Sequence, residues 1–146
     1  MTIELMKKMM DACYQAKRIR EMLPPLPQGV TSSYIRYLDI IQRLERKGSQ
    51  VKVSDLSDTL GIPRPGVTRT VKEMEDKGYL KKEISEEDRR ITYLFITEQG
   101  KKLSEKYNEQ VFDELLSLTQ DISEEDAECT IRTIHKIYEM MSDRRK

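Results

Sequence analysis

Residues 85–97, Ser-Glu-Glu-Asp-Arg-Arg-Ile-Thr-Tyr-Leu-Phe-Ile-Thr, constrain this chain more than any other stretch. From Ile91 to Ile96 β-branched and aromatic residues dominate, as strands prefer. Leu80, Lys82 and Ile84 alternate just before, so the acidic run Glu86-Glu87-Asp88 forms the turn of a hairpin. Carboxylates beside Arg89 and Arg90 can hold a guanidinium in one orientation through charge-assisted hydrogen bonds. The segment ahead of the hairpin, Val51 to Leu80, has helical periodicity interrupted by Gly61. A thin charged hairpin straight after two short helices leaves few architectures open.

The rest of the chain is helical in pattern. Met6, Met9, Met10, Cys13 and Ala16 form one apolar stripe between Thr2 and Leu23, and Pro24-Pro25-Leu26-Pro27-Gln28-Gly29 breaks it. Thr31 or Ser32 can cap a second helix with a face of Tyr34, Tyr37, Leu38, Ile41 and Leu44, ending near Lys47-Gly48. A short helix with Val53, Leu56 and Leu60 inside is expected to start on Ser54 and stop at Gly61. The next opens at Arg64-Pro65 and buries Val67, Val71 and Met74 up to Gly78. Thr97 is expected to cap one long helix to about Asp121, with Leu103, Tyr107, Val111, Leu115 and Leu118 inside. Ser123-Glu124-Glu125-Asp126 resembles a capping box opening a last helix, with a seam of Ala127, Ile131, Ile134, Tyr138 and Met141.

The fold expected is mainly α with a small β-hairpin wing. Residues 31–97 form a winged helix-turn-helix lobe, and residues 1–30 with 98–146 form a helical dimerisation lobe. Met6 and Met10 on the first helix, and Ile131, Ile134, Tyr138 and Met141 on the last, are the candidate dimer contacts.

Turning Val67, Val71 and Met74 inward places Arg64, Thr68, Arg69 and Lys72 on or near the outer side of their helix. Arginine can bond guanine O6 and N7 bidentately, threonine reaches base edges or phosphate, and lysine neutralises phosphate. Pro65 and Gly66 lie in the first turn, where Gly66 allows close backbone approach and the helix dipole favours an anion. Arg89 and Arg90 on the hairpin are placed for an adjacent minor groove. The formal net charge is zero, so attraction to double-stranded DNA must come from segregated charge. Arg64 to Lys82 holds six bases against three acids, whereas Ser123 to Glu128 holds four acids and no base.

On these residues the segment from about Tyr34 to Gly100 resembles the MarR family of winged-helix transcription regulators. The wing matches the family's Asp-x-Arg at Asp88 and Arg90, its hydrophobic-Thr pair at Ile96-Thr97, and its Thr-Glu-x-Gly helix start at Thr97, Glu98 and Gly100. The number and order of flanking helices extend the resemblance over essentially the whole chain. It implies a homodimer intertwined through the first and last helices, binding a pseudo-palindromic operator as a repressor that an effector relieves. Each recognition helix would take a major groove and each wing a minor groove, with Asp88 anchoring the wing and Arg90 inserting. The Pro-rich link departs from the pattern around the family's effector crevice.

A small apolar or phenolic effector is expected at Cys13, Tyr34, Tyr37 and the 24–29 link. Cys13 also lies where the peroxide-sensing branch of the family carries its reactive cysteine, so a thiol-based redox switch is an alternative. Lys17, not tyrosine, follows one turn later. A winged-helix protein-interaction module without DNA binding is a further alternative, against which the exposed arginines argue. Part of the chain also resembles metal-dependent regulators of the DtxR type. The single histidine, His135, has no ligand partners at metal spacing, so neither metal nor cofactor is expected. Neither a nucleophile with a base nor a phosphate loop points to an enzyme. Two distant cysteines, no apolar membrane-length run and no signal-peptide core predict a cytoplasmic protein with no membrane partner.

Overall fold

The computed structural model describes the whole chain, Met1–Lys146. Its helices are α1 (Ile3–Glu21), α2 (Ser32–Arg46), α3 (Val53–Leu60), α4 (Arg64–Asp76), α5 (Glu98–Ser104), α6 (Val111–Leu118) and α7 (Glu124–Asp143). Three strands complete it: β1 (Val51–Lys52), β2 (Leu80–Ile84) and β3 (Thr92–Ile96). The chain divides into two compact units, Met1–Val111 and Phe112–Lys146. The mainly helical architecture with a small hairpin wing is the one the sequence predicts.

The core of the first unit forms where the predicted apolar faces converge. Leu38, Ile41, Leu56, Val67, Val71 and Met74 are completely buried, joined by Tyr34, Tyr37, Leu80 and Leu94. α4 is held at the N-terminus by Pro65, whose missing N–H costs nothing in a first turn. Beyond it the backbone turns at Gly78, with φ +84°. Thr97 then does two things at once: its hydroxyl accepts from Gly100 N at 3.1 Å and donates to the Gly78 carbonyl at 2.6 Å. One side chain therefore caps α5 and ties it to the end of α4.

Three local expectations are corrected. Helix α3 does not start on a Ser54 cap. It begins at Val53, and the Asp55 carboxylate accepts the Lys52 N–H at 2.8 Å. The short sequence before it pairs as a third strand, Val51 with Leu94 and Lys52 with Tyr93, giving an antiparallel order β1-β3-β2. Thr31 stands at the N-cap of α2 as expected, without a side-chain cap bond.

The third correction concerns the long helix expected from Thr97 to Asp121. It is α5, a π-helical turn over Glu105–Gln110, and α6. A π turn holds more residues than an α turn, so an apolar stripe read at constant period loses register through it. Leu103 and Tyr107 are buried, Leu115 is half-buried, and Leu118 is 81% exposed. The π turn is held by a partly buried polar cluster around the buried Ser104. Ser104 Oγ donates to Gln42 Oε1 at 2.6 Å, while Asn108 Nδ2 donates to Ser104 Oγ at 2.8 Å and to the Ile35 carbonyl at 3.0 Å.

In the second unit, Ser123 caps α7 by accepting the Asp126 N–H at 3.1 Å. No residue of α6 or α7 is buried.

Candidate nucleic-acid interface

One side of α4 is fixed by packing, which decides what the other can present. Arg64, Pro65, Thr68, Arg69 and Lys72 are all exposed, and Gly66 is half-buried. A Cβ on Gly66 would sit 3.3 Å from Ile62 Cγ2, so this glycine also serves close packing against the turn.

The hairpin between β2 and β3 is closed by its own hydrogen bonds. Ser85 N donates to the Ile91 carbonyl and Ile91 N to the Asp88 carbonyl, both at 2.9 Å, and Asp88 N donates to Ser85 Oγ at 3.2 Å. The Asp88 carboxylate accepts three donors from Arg90, all at 3.0 Å: the backbone N–H and Nε on Oδ1, and Nη2 on Oδ2. This fork orients a guanidinium that is otherwise 89% exposed. The Arg90 side chain, then its backbone N–H, holds the Asp88 carboxyl below the ordinary carboxylate range, and Asp88 raises the Arg90 guanidinium in turn. Arg89, next to it, is exposed.

Helix and hairpin meet across a cleft of about 390 Å³ lined by Arg64, Thr68, Glu75, Lys82, Ile84, Arg90 and Thr92 among others. Arg64 Nη2 donates to the Arg90 carbonyl at 3.4 Å across one end. Across the cleft, Glu75 on α4 accepts the Lys82 backbone N–H at 3.0 Å, with Lys82 Nζ 3.5 Å from its other oxygen. Sequence reasoning brought Arg64, Thr68 and Arg90 to this place and missed Glu75, Lys82 and Thr92. The only hint was the alternation that puts Lys82 between Leu80 and Ile84.

The other candidate residues are dispersed. Tyr34 and Tyr37 belong to the core, and Cys13 is half-buried on α1. The Tyr34 hydroxyl donates to Glu73 Oε2 at 3.0 Å and accepts from Lys77 Nζ at 3.2 Å. Lys77 Nζ also donates to the Gly29 carbonyl, so α4 is strapped to the Pro-rich link. Tyr107, not anticipated, donates to the Pro25 carbonyl of the same link at 3.4 Å. Met6, Met10, Ile131, Ile134, Tyr138 and Met141 are all between 42% and 73% exposed. No helix is long and apolar enough to cross a membrane.

The MarR family model matches residues 28–91, from the link to the start of β3. The uncharacterized HTH-type transcriptional regulator YdgJ of Bacillus subtilis is 29% identical over 92 residues. That match takes in 61% of this chain and 54% of YdgJ, so the chain spans about half the length of its relative. Among solved structures, FabT of Streptococcus pneumoniae in complex with DNA superposes with a TM-score of 0.69 at 19% identity, over 97% of this chain and 99% of that one. The adhesin competence repressor AdcR of Streptococcus pyogenes gives 0.68 at 21% identity, over 97% and 98%. Residues 28–91 are thus similar to the MarR family, and the chain has the winged-helix fold of these solved structures.

Proposed function

We propose that the protein is a homodimeric, sequence-specific DNA-binding transcription regulator that represses by occupying a pseudo-palindromic operator. One observation carries the reading. The outward residues of α4 (Arg64, Thr68, Arg69, Lys72) and the Asp88-held guanidinium of Arg90 are joined by the Arg64–Arg90 bond into one surface. α4 would enter a major groove and the hairpin the adjacent minor groove. The solved DNA complex of FabT, whose fold this chain shares, supports binding to DNA. Dimerisation through residues 1–30 and 98–146 is supported by the exposed apolar stripes of α1 and α7, where Ile3, Tyr14 and Tyr138 are each more than 60% exposed. Burying such stripes against a second copy removes apolar surface from water at about 25 cal/mol per Å².

The test is binding of the purified protein to the promoter region of its own gene, with footprinting and sedimentation alongside. We expect a dimer protecting two half-sites about 10 bp apart or a multiple of that. Log affinity should fall with log salt by about 0.9 per phosphate contact. A monomer at micromolar concentration, or salt-indifferent binding, would refute the reading.

Relief by a small apolar or phenolic effector at Cys13, Tyr34, Tyr37 and the 24–29 link is the regulatory part of the proposal. It is supported by the link's attachment to α4 through Lys77, which lets a ligand there act on the recognition helix. A phenolic acid should release DNA from wild type and Cys13→Ser but not from Tyr37→Ala. Peroxide-driven release that vanishes in Cys13→Ser would replace this with the thiol switch.

A further inference from the structure

We infer that Lys82, with Glu75 as its counter-charge, seats the DNA strand that passes between α4 and the hairpin. This rests on the DNA-binding reading and adds a contact and a brake to it. A protein that puts a helix in one groove and a hairpin in the next must accommodate the sugar-phosphate strand dividing the grooves. The cleft between α4 and the hairpin lies where that strand has to run, and Arg64, Thr68, Lys82, Arg90 and Thr92 line it with donors.

Glu75 is the one carboxylate among these lining residues, and its presence needs a reason. Strand order β1-β3-β2 leaves β2 at an open edge. The Lys82 N–H is bonded to Glu75 rather than to β3, so the carboxylate satisfies an edge amide and fixes β2 against α4. The same carboxylate holds the Lys82 ammonium at 3.5 Å, with both side chains about one-third exposed. A pair so placed is weak, because water screens it. An arriving phosphate can therefore take the ammonium while the backbone bond to Glu75 persists. Lys82 gains a phosphate, and Glu75, left close to that phosphate, subtracts from the affinity.

The experiment measures affinity against salt for the full-length protein on an operator duplex and on an unrelated duplex. Lys82→Ala and Lys82→Gln should bind more weakly by the same factor on both duplexes. Their salt slope should drop by about 0.9 per subunit, or about 1.8 for a symmetric dimer. Lys82→Arg should keep the wild-type slope. Glu75→Gln retains an oxygen to accept the Lys82 N–H and removes the charge, so it should bind both duplexes several-fold more tightly with an unchanged melting temperature. Wild-type slope in Lys82→Gln, or unchanged or weaker binding by a normally melting Glu75→Gln, would overturn the inference while leaving DNA binding intact. Failure of the wild type to bind either duplex would overturn both.

Discussion

Gly100→Ala sets two effects of opposite sign against each other. On an exposed helix position alanine is better than glycine by about 0.8–1.0 kcal/mol, so propensity alone predicts a more stable protein. At Gly100, however, an added Cβ would lie 2.3 Å from the Tyr79 carbonyl oxygen and 2.8 Å from Ile96 Cγ2. Neither neighbour is free to yield. The Tyr79 oxygen accepts the Thr97 N–H at 3.2 Å, and Ile96 is the last residue of β3. Relieving the clash means parting α5 from the chain leading into β2 and loosening the Thr97 cap. Overpacking of this kind costs about 1–3 kcal/mol and sometimes more. The close backbone contact puts it at the upper end, so a net loss of about 2 kcal/mol remains after the propensity gain. For a chain of this size that lowers the melting temperature by roughly 4–8 °C. Circular dichroism melts at matched protein concentration measure it, since self-association would make the midpoint concentration-dependent. A midpoint at or above wild type would refute the steric argument.

Met74→Ala empties a fully buried position under α4 and should cost about 2–5 kcal/mol, read as a lower urea midpoint at unchanged slope. The lowered Asp88 pKa means that the carboxylate's support for the wing is complete above the ordinary value of 3.8 and is lost as pH falls through the lower folded value. Carboxyl NMR should show Asp88 titrating below 3.8 in wild type and closer to that value in Arg90→Ala; equal midpoints would contradict the fork. Arg69→Ala should cost about 1–3 kcal/mol of binding and relax preference at one symmetric position. Arg90→Ala should weaken binding most at sites with narrow A·T-rich flanks, and equal, sequence-blind losses for the two would show that both touch phosphate alone.

The helices around the candidate interface were legible because burial writes a period into sequence. Val67, Val71 and Met74 sit three or four apart and are all completely buried. Thr97 was legible because a cap needs a particular side chain at a particular place. What escaped lacks such a signature. Two residues of β1 are too few to show alternation, and no residue type announces a π turn. The Ser104–Asn108–Gln42 cluster and the Tyr107–Pro25 bond join positions more than 60 residues apart, which local pattern cannot pair. Glu75 and Lys82 were hidden differently: each looks like an ordinary surface charge until β2 is known to be an edge strand. The α6 stripe was misjudged because the reading carried one period through the π turn.

The composition of the hairpin tip bears on the order of events when the protein meets its target. Glu86, Glu87 and Asp88 outnumber Arg89 and Arg90, and one guanidinium is already spent on Asp88. Such a tip projects no net positive field beyond the roughly 8 Å over which charge is felt at physiological salt. Arg64, Arg69 and Lys72 on α4 carry the outward positive charge on the helix side. On the proposed DNA-binding function, capture from solution would fall to the helix, and the hairpin would settle into its groove after the complex has formed. Removing Arg90 should leave the association rate nearly untouched and shorten the lifetime of the complex, whereas removing Lys72 should slow arrival.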